Sequence, residues 1–138
     1  MDVLVLIGRI LFSVLFLTSA AGHLTQSNAM AQYAESKGLP VPQLSVLVSG
    51  VVLLLGALSV LLGVWADLGS LLLVAFLVPT AVLMHNFWSE SDAQAKQTEM
   101  IQFNKDIALA GAALMLFAFF AHTGDLGLTI TGPLFSIS

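Results

Sequence analysis

Cysteine is absent from this 138-residue chain. Disulfides, thiol catalysis, haem attachment through cysteine and cysteine-ligated iron–sulfur clusters are therefore excluded, and the redox compartment cannot be read from the sequence. Basic residues are nearly absent as well: Arg9, Lys37, Lys96 and Lys105 are the full set, and the net charge is −4. A nucleic-acid footprint needs a basic stripe, which four scattered cations do not make. A polybasic anchor to anionic lipid fails for the same reason. Charged residues of either sign are only 9% of the chain, against about 25% in a soluble domain.

What the sequence has instead is apolar surface, with hydrophobic residues at 58%. A soluble chain of this composition could not cover itself with polar groups. Lipid as solvent removes the conflict, because apolar side chains then face outward. About 20 mostly apolar residues span a bilayer as a helix. Four runs qualify, at approximately 3–22, 44–64, 68–87 and 100–121. Their length and lack of alternation argue against a β-barrel. A cleavable leader is also disfavoured: Thr18-Ser19-Ala20-Ala21 mimics a cleavage site, but Asp2 stands where a positive n-region belongs and Arg9 lies inside the apolar run. The expected architecture is a single all-α transmembrane domain, a four-helix bundle.

The connections alternate in character. In the first long one, residues 22–43, Met30, Tyr33 and Ala34 fall at helical spacing opposite Gln32, Glu35 and Ser36, and Gly38-Leu39-Pro40 follows. This predicts a short interfacial helix between the first and second spans. Trp65-Ala66-Asp67 reads as a tight turn, and residues 88–99 read as a solvated loop. Four spans put both termini on one membrane side and the long loops on the other. Lys37, Lys96 and Lys105 on or near the long-loop side favour a cytoplasmic placement for it. Gly50, Gly56 and Gly63 with Ala57 form a small-residue stripe suited to helix packing.

Polar residues inside spans are costly and point to function by default. Arg9 either snorkels to the interface or pairs inside the bundle with Asp67, Asp125 or tail carbonyls. At the long-loop end the topology gathers the candidate ligand residues His23, Tyr33, His85, Asn86, Trp88, Gln102 and Lys105, with Glu99 in the same polar cluster and Asp106 as an intramembrane charge. His85, Trp88, Gln102 and Lys105 are expected to converge on the inner face, with His23 nearby. Imidazole titrates near neutral pH, and Lys or Asn can hydrogen-bond a carbonyl oxygen, so such a pocket suits a quinone or another small polar-headed molecule. The bland alternative is an interfacial belt, since His, Trp and Lys favour helix ends in membranes. A metal site is not expected, because no paired-histidine or Glu-x-x-His spacing supports one.

The residues also resemble a known family. Gly8-Arg9 followed by an apolar run to Gly22-His23-Leu24 is similar to the first helix of DoxX-type membrane proteins. The stretch from Gln32 to Pro42, the third-helix ending Pro79 with Met84-His85-Asn86-Phe87-Trp88, and the run from Glu99 to Asp106 continue the resemblance in order along nearly the whole chain. It implies a four-helix protein of a bacterial-type inner (cell) membrane, in a family linked to quinone-reducing thiosulfate oxidation and to membrane-associated oxidoreductase assemblies. Three positions depart from the family pattern: His23 replaces a usual Lys, the second helix lacks a usual Glu near Leu53, and Asp67 replaces a basic residue. The implied function is an accessory or quinone-interacting subunit of a membrane oxidoreductase system. No cofactor is covalently attached, and the partners are the bilayer and other membrane subunits or a soluble oxidoreductase. The alternative is a non-enzymatic structural or assembly subunit of a larger membrane complex. Whether the chain is an enzyme is left open.

Overall fold

The computed structural model describes residues 1–124 and 127–138. Within them the chain is all-helical, with four helices long and apolar enough to cross a membrane. These are α1 (Asp2–Thr25), α3 (Pro42–Leu62), α4 (Ala66–Met84) and α5 (Ala93–Thr123), while α2 (Ser27–Ser36) is the short helix between the first two spans.

Local chemistry sets most of the boundaries. Only Gln26 separates α1 from α2, so the first long connection is mostly helix. Gly38 ends α2 with φ +82°, and the Leu39 N–H reaches back to Ala34 O at 3.1 Å. Pro42 then opens α3, where its missing N–H costs nothing. Gly63, at φ +67°, closes α3, with the Val64 N–H on Ser59 O at 3.0 Å. The tight turn is therefore residues 63–65, and Ala66 and Asp67 already belong to α4.

In the third span the regular α-helix stops at Met84 and a short 3₁₀ turn, Phe87–Ser89, carries the span on to Ser89. One expected boundary moves. The fourth helix starts at Ala93, so residues 93–99 are helix and not loop. The Asp92 side chain accepts from Ala95 N at 2.9 Å and caps it. Apolarity marks where a helix meets lipid, and a capped polar helix can continue into water beyond that point. Lys105 and Asp106 consequently lie more than three turns into α5.

In the bundle α1 packs on α3, α3 on α4 and α4 on α5, while α2 lies against α3. The core holds Phe16, Leu53, Ala57, Val60, Leu73 and Leu77, with Ala110 and Ala113 from α5. Small residues set the α3–α4 distance. A Cβ on Gly56 would meet Leu73 and the Gly69 carbonyl, and one on Gly69 would meet Ser59.

The end of the bundle holding the α3–α4 turn is closed by Arg9 and the C-terminal tail. Arg9 is buried and does not snorkel. Its Nε donates to Val60 O at 2.9 Å, Nη2 to Leu61 O at 2.8 Å and Nη1 to Leu128 O at 3.0 Å. A tail carbonyl is thus one of its partners. Asp67 is held elsewhere, accepting from Leu134 N at 2.9 Å and Phe135 N at 2.6 Å. Asp125, the other candidate partner, lies outside the described residues. Ile130 N on Leu62 O and Thr131 N on Gly63 O complete the strap.

Candidate functional site

At the opposite end, helix order brings the close of α1, all of α2, the close of α4 and the opening turns of α5 together. Their polar side chains are organised around Glu99. Its Oε1 accepts from the Tyr33 hydroxyl at 2.7 Å, and its Oε2 lies 2.7 Å from His85 Nδ1. A carboxylate in this contact accepts, so Nδ1 carries the proton. Lys37 adds its ammonium 3.5 Å from Glu99 and 3.0 Å from Glu90, and reaches Asn86 Oδ1 at 3.4 Å. The other face of the His85 ring looks toward Asp106, with Nε2 3.6 Å from Oδ2.

Carboxylate, imidazole and carboxylate thus stand in a row, with His85 hydrogen-bonded to Glu99 and 3.6 Å from Asp106. Glu99 and Asp106 are seven residues apart, two turns on one helical face, which aims both at His85. Partial burial, then the hydrogen bond to Glu99 and the negative charge of Glu99 and Glu90, pushes the Tyr33 phenol well above its ordinary range.

This row borders a cavity of about 620 Å³, within the range of small-molecule sites. Its walls are mostly apolar, supplied by α3 and α4 through residues such as Val46, Val52, Leu72 and Phe76, with Met30 of α2 over one end. Its polar groups are contributed by His23, Tyr33, His85, Lys105 and Asp106, with four hydroxyls from Ser19, Ser45, Ser49 and Thr80. Inside α4, Pro79 also lines it. Having no N–H, Pro79 cannot donate the usual helical bond to the Ala75 carbonyl.

The candidate residues divide accordingly. His23, Tyr33, His85, Lys105 and Asp106 share the cavity. Asn86, Trp88 and Gln102 do not line it. Asn86 is engaged with Lys37, and Gln102 accepts from Lys105 Nζ at 2.6 Å. Trp88 contradicts the expected inward placement. It is 53% exposed and stacks edge-on against Phe87 and Phe103, at 5.3 and 5.7 Å between centroids. The 3₁₀ turn carries it there, onto an aromatic cluster outside the cavity. Lys105 is likewise only half inside, its side chain 46% exposed.

Comparison with known proteins follows the same outline. The family model described as DoxX matches residues 4–86, more than half of the chain. The chain belongs to the DoxX family. It is similar to two Escherichia coli (strain K12) proteins, each at 30% identity: inner membrane protein YphA over 83% of this chain and 81% of that protein, and inner membrane protein YqjF over 83% and 82%. No solved structure matches it. With its four apolar helices, this DoxX protein is a small multi-pass inner membrane protein.

The DoxX match ends at Asn86, so Glu99 and Asp106 lie beyond it. The α5 carboxylates supply acidic groups to a bundle whose second span has none, Leu53 being fully buried in the core instead. The sequence places Glu99 in the polar cluster at this end but not among the ligand residues, and Lys37 and Glu90 in neither; the seven-residue spacing of Glu99 and Asp106 was a usable signal for the first. The Lys37–Glu90 pair, joining α2 to the α4–α5 connection, had no signal in the chain.

Proposed function

We propose that this DoxX protein binds a lipophilic molecule with a small polar head, of the quinone or quinol class, as an accessory subunit of a membrane oxidoreductase system. One observation carries the reading: the apolar cavity ends on the His85–Asp106 pair. Apolar walls suit a ring and tail drawn from the bilayer, while the carboxylate–imidazole–carboxylate row can exchange protons with the head. The polar face of α2 and the α4–α5 connection offer a docking surface to a soluble oxidoreductase or another membrane subunit.

The test is binding of decylubiquinone, oxidised or reduced, to the purified protein in detergent, read by equilibrium titration. Saturable binding at one site per chain is expected. Val52→Phe, which narrows the cavity, and His85→Ala, which removes the imidazole at its end, should each weaken it while the helices persist by circular dichroism. Absence of binding in both forms, or binding indifferent to both substitutions, refutes the reading and leaves the structural or assembly role.

A further inference from the structure

The protons lining the cavity are largely committed within the protein. Tyr33 donates its hydroxyl to Glu99. The Ser45 hydroxyl donates to Pro40 O at 3.1 Å, and that of Ser49 to Val46 O at 2.9 Å. His23 Nδ1 lies 2.8 Å from Ser19 O; a carbonyl can only accept, so the proton sits on Nδ1 and neutral His23 keeps a lone pair on Nε2. His85 Nδ1 is tied to Glu99 in the same way. Lys105 gives one proton to Gln102 and holds its half-exposed ammonium 3.8 Å from Asp106.

The groups left over are acceptors. The Asp106 side chain is only 8% exposed and lines the cavity. Its closest charged or ring partners stand at 3.6 and 3.8 Å, beyond good hydrogen-bond length. Buried carboxylate oxygens call for donors, because an unmet one keeps its full desolvation penalty.

We infer that the cavity selects a hydrogen-bond donor: a lipophilic hydroxyl compound such as a quinol in preference to its oxidised quinone, with Asp106 receiving the hydroxyl. This rests on the proposed function and sharpens it. A quinone carbonyl brings another acceptor to a wall where, among the described residues, Lys105 and the Ser19 and Thr80 hydroxyls are the donors left to answer it. A quinol hydroxyl makes a charge-assisted bond, about twice as strong as a neutral one.

The experiment compares decylubiquinol with decylubiquinone on the purified protein under anaerobic conditions, with Asp106→Asn alongside. The wild type should bind the quinol about tenfold more tightly, the scale of one charge-assisted bond. Asparagine presents a donor as well as an acceptor, so Asp106→Asn should remove or invert the preference. Equal affinity, or tighter quinone binding, in the wild type overturns the inference while the binding site stands. So does a preference that survives Asp106→Asn. If neither compound binds, the proposed function falls and the inference with it. The wild-type comparison decides the matter even if the variant fails to fold.

Discussion

Tyr33 and Glu99 are 66 positions apart in the chain and 2.7 Å apart in space. That bond ties α2, the helix between the first two spans, to α5, with which it shares no sequence continuity. A second link runs beside it, from Lys37 to Glu90. Together they hold Met30, Tyr33 and Ala34 over one end of the cavity.

Removing the first link should loosen α2 selectively. Tyr33→Phe deletes a hydrogen bond to a carboxylate on a partly exposed ring, and a loss of about 1 kcal/mol is expected. Hydrogen exchange should quicken across 27–36 and stay unchanged in the buried turns of α3 and α4. Unchanged exchange in α2 would show that the latch does not hold it.

The same residue gives a pH signature. Tyr33 is the one tyrosine of the chain, so phenolate absorbance reports it alone. Its phenol is pushed up by partial burial and by Glu99, and no phenolate should appear around pH 10, the ordinary value. The folded protein holds this proton more tightly than the unfolded chain. Its contribution to stability is therefore complete below about pH 10 and is lost as pH rises above that toward the folded value. Glu99→Gln should bring the onset of absorbance down; an unshifted onset would contradict the assigned cause.

Arg9 should prove irreplaceable by lysine. Its three donors reach three different carbonyls in a fork that an ammonium cannot reproduce. Arg9→Leu and Arg9→Lys should each cost about 3 kcal/mol or more, since carbonyls at the close of α3 lose their donors. Resistance to unfolding by SDS in mixed micelles measures this, and a lysine variant as stable as the wild type would refute it.

The glycines separate into two classes. Gly69→Ala places a methyl group against Ser59 in the α3–α4 seam, whereas a methyl at Gly111 meets nothing. The first should cost about 1–3 kcal/mol, and the second should be neutral or mildly stabilising. Thermal unfolding in one detergent compares them, and equal midpoints would mean that the seam does not depend on that close approach.

Asp67→Asn should release the tail and spare the helices. The variant keeps one oxygen acceptor and puts an NH2 donor against the other backbone N–H, where a carboxylate oxygen stood. Limited proteolysis should then cut near residues 132–136 while the remainder stays intact. A tail as resistant as in the wild type would assign its anchoring to the Ile130 and Thr131 contacts instead.

The sequence by itself determined that four spanning helices exist, where α2 ends and α3 begins and closes, and to which family the chain belongs. Long apolar runs force helices because backbone polar groups have no partner in lipid other than one another. Gly38, Gly63 and Pro42 mark their boundaries through backbone geometry that other residues adopt poorly. Which side of each helix faces inward was decided only in three dimensions. Core and lipid are both apolar, so an almost uniformly apolar span carries little amphipathic signal for its own rotation. Close packing at Gly56 and Gly69, and the need of each buried polar group for a partner, set that rotation. The tertiary structure thereby turned Arg9 onto backbone carbonyls, Trp88 onto its aromatic neighbours, and Glu99 and Asp106 onto either side of His85.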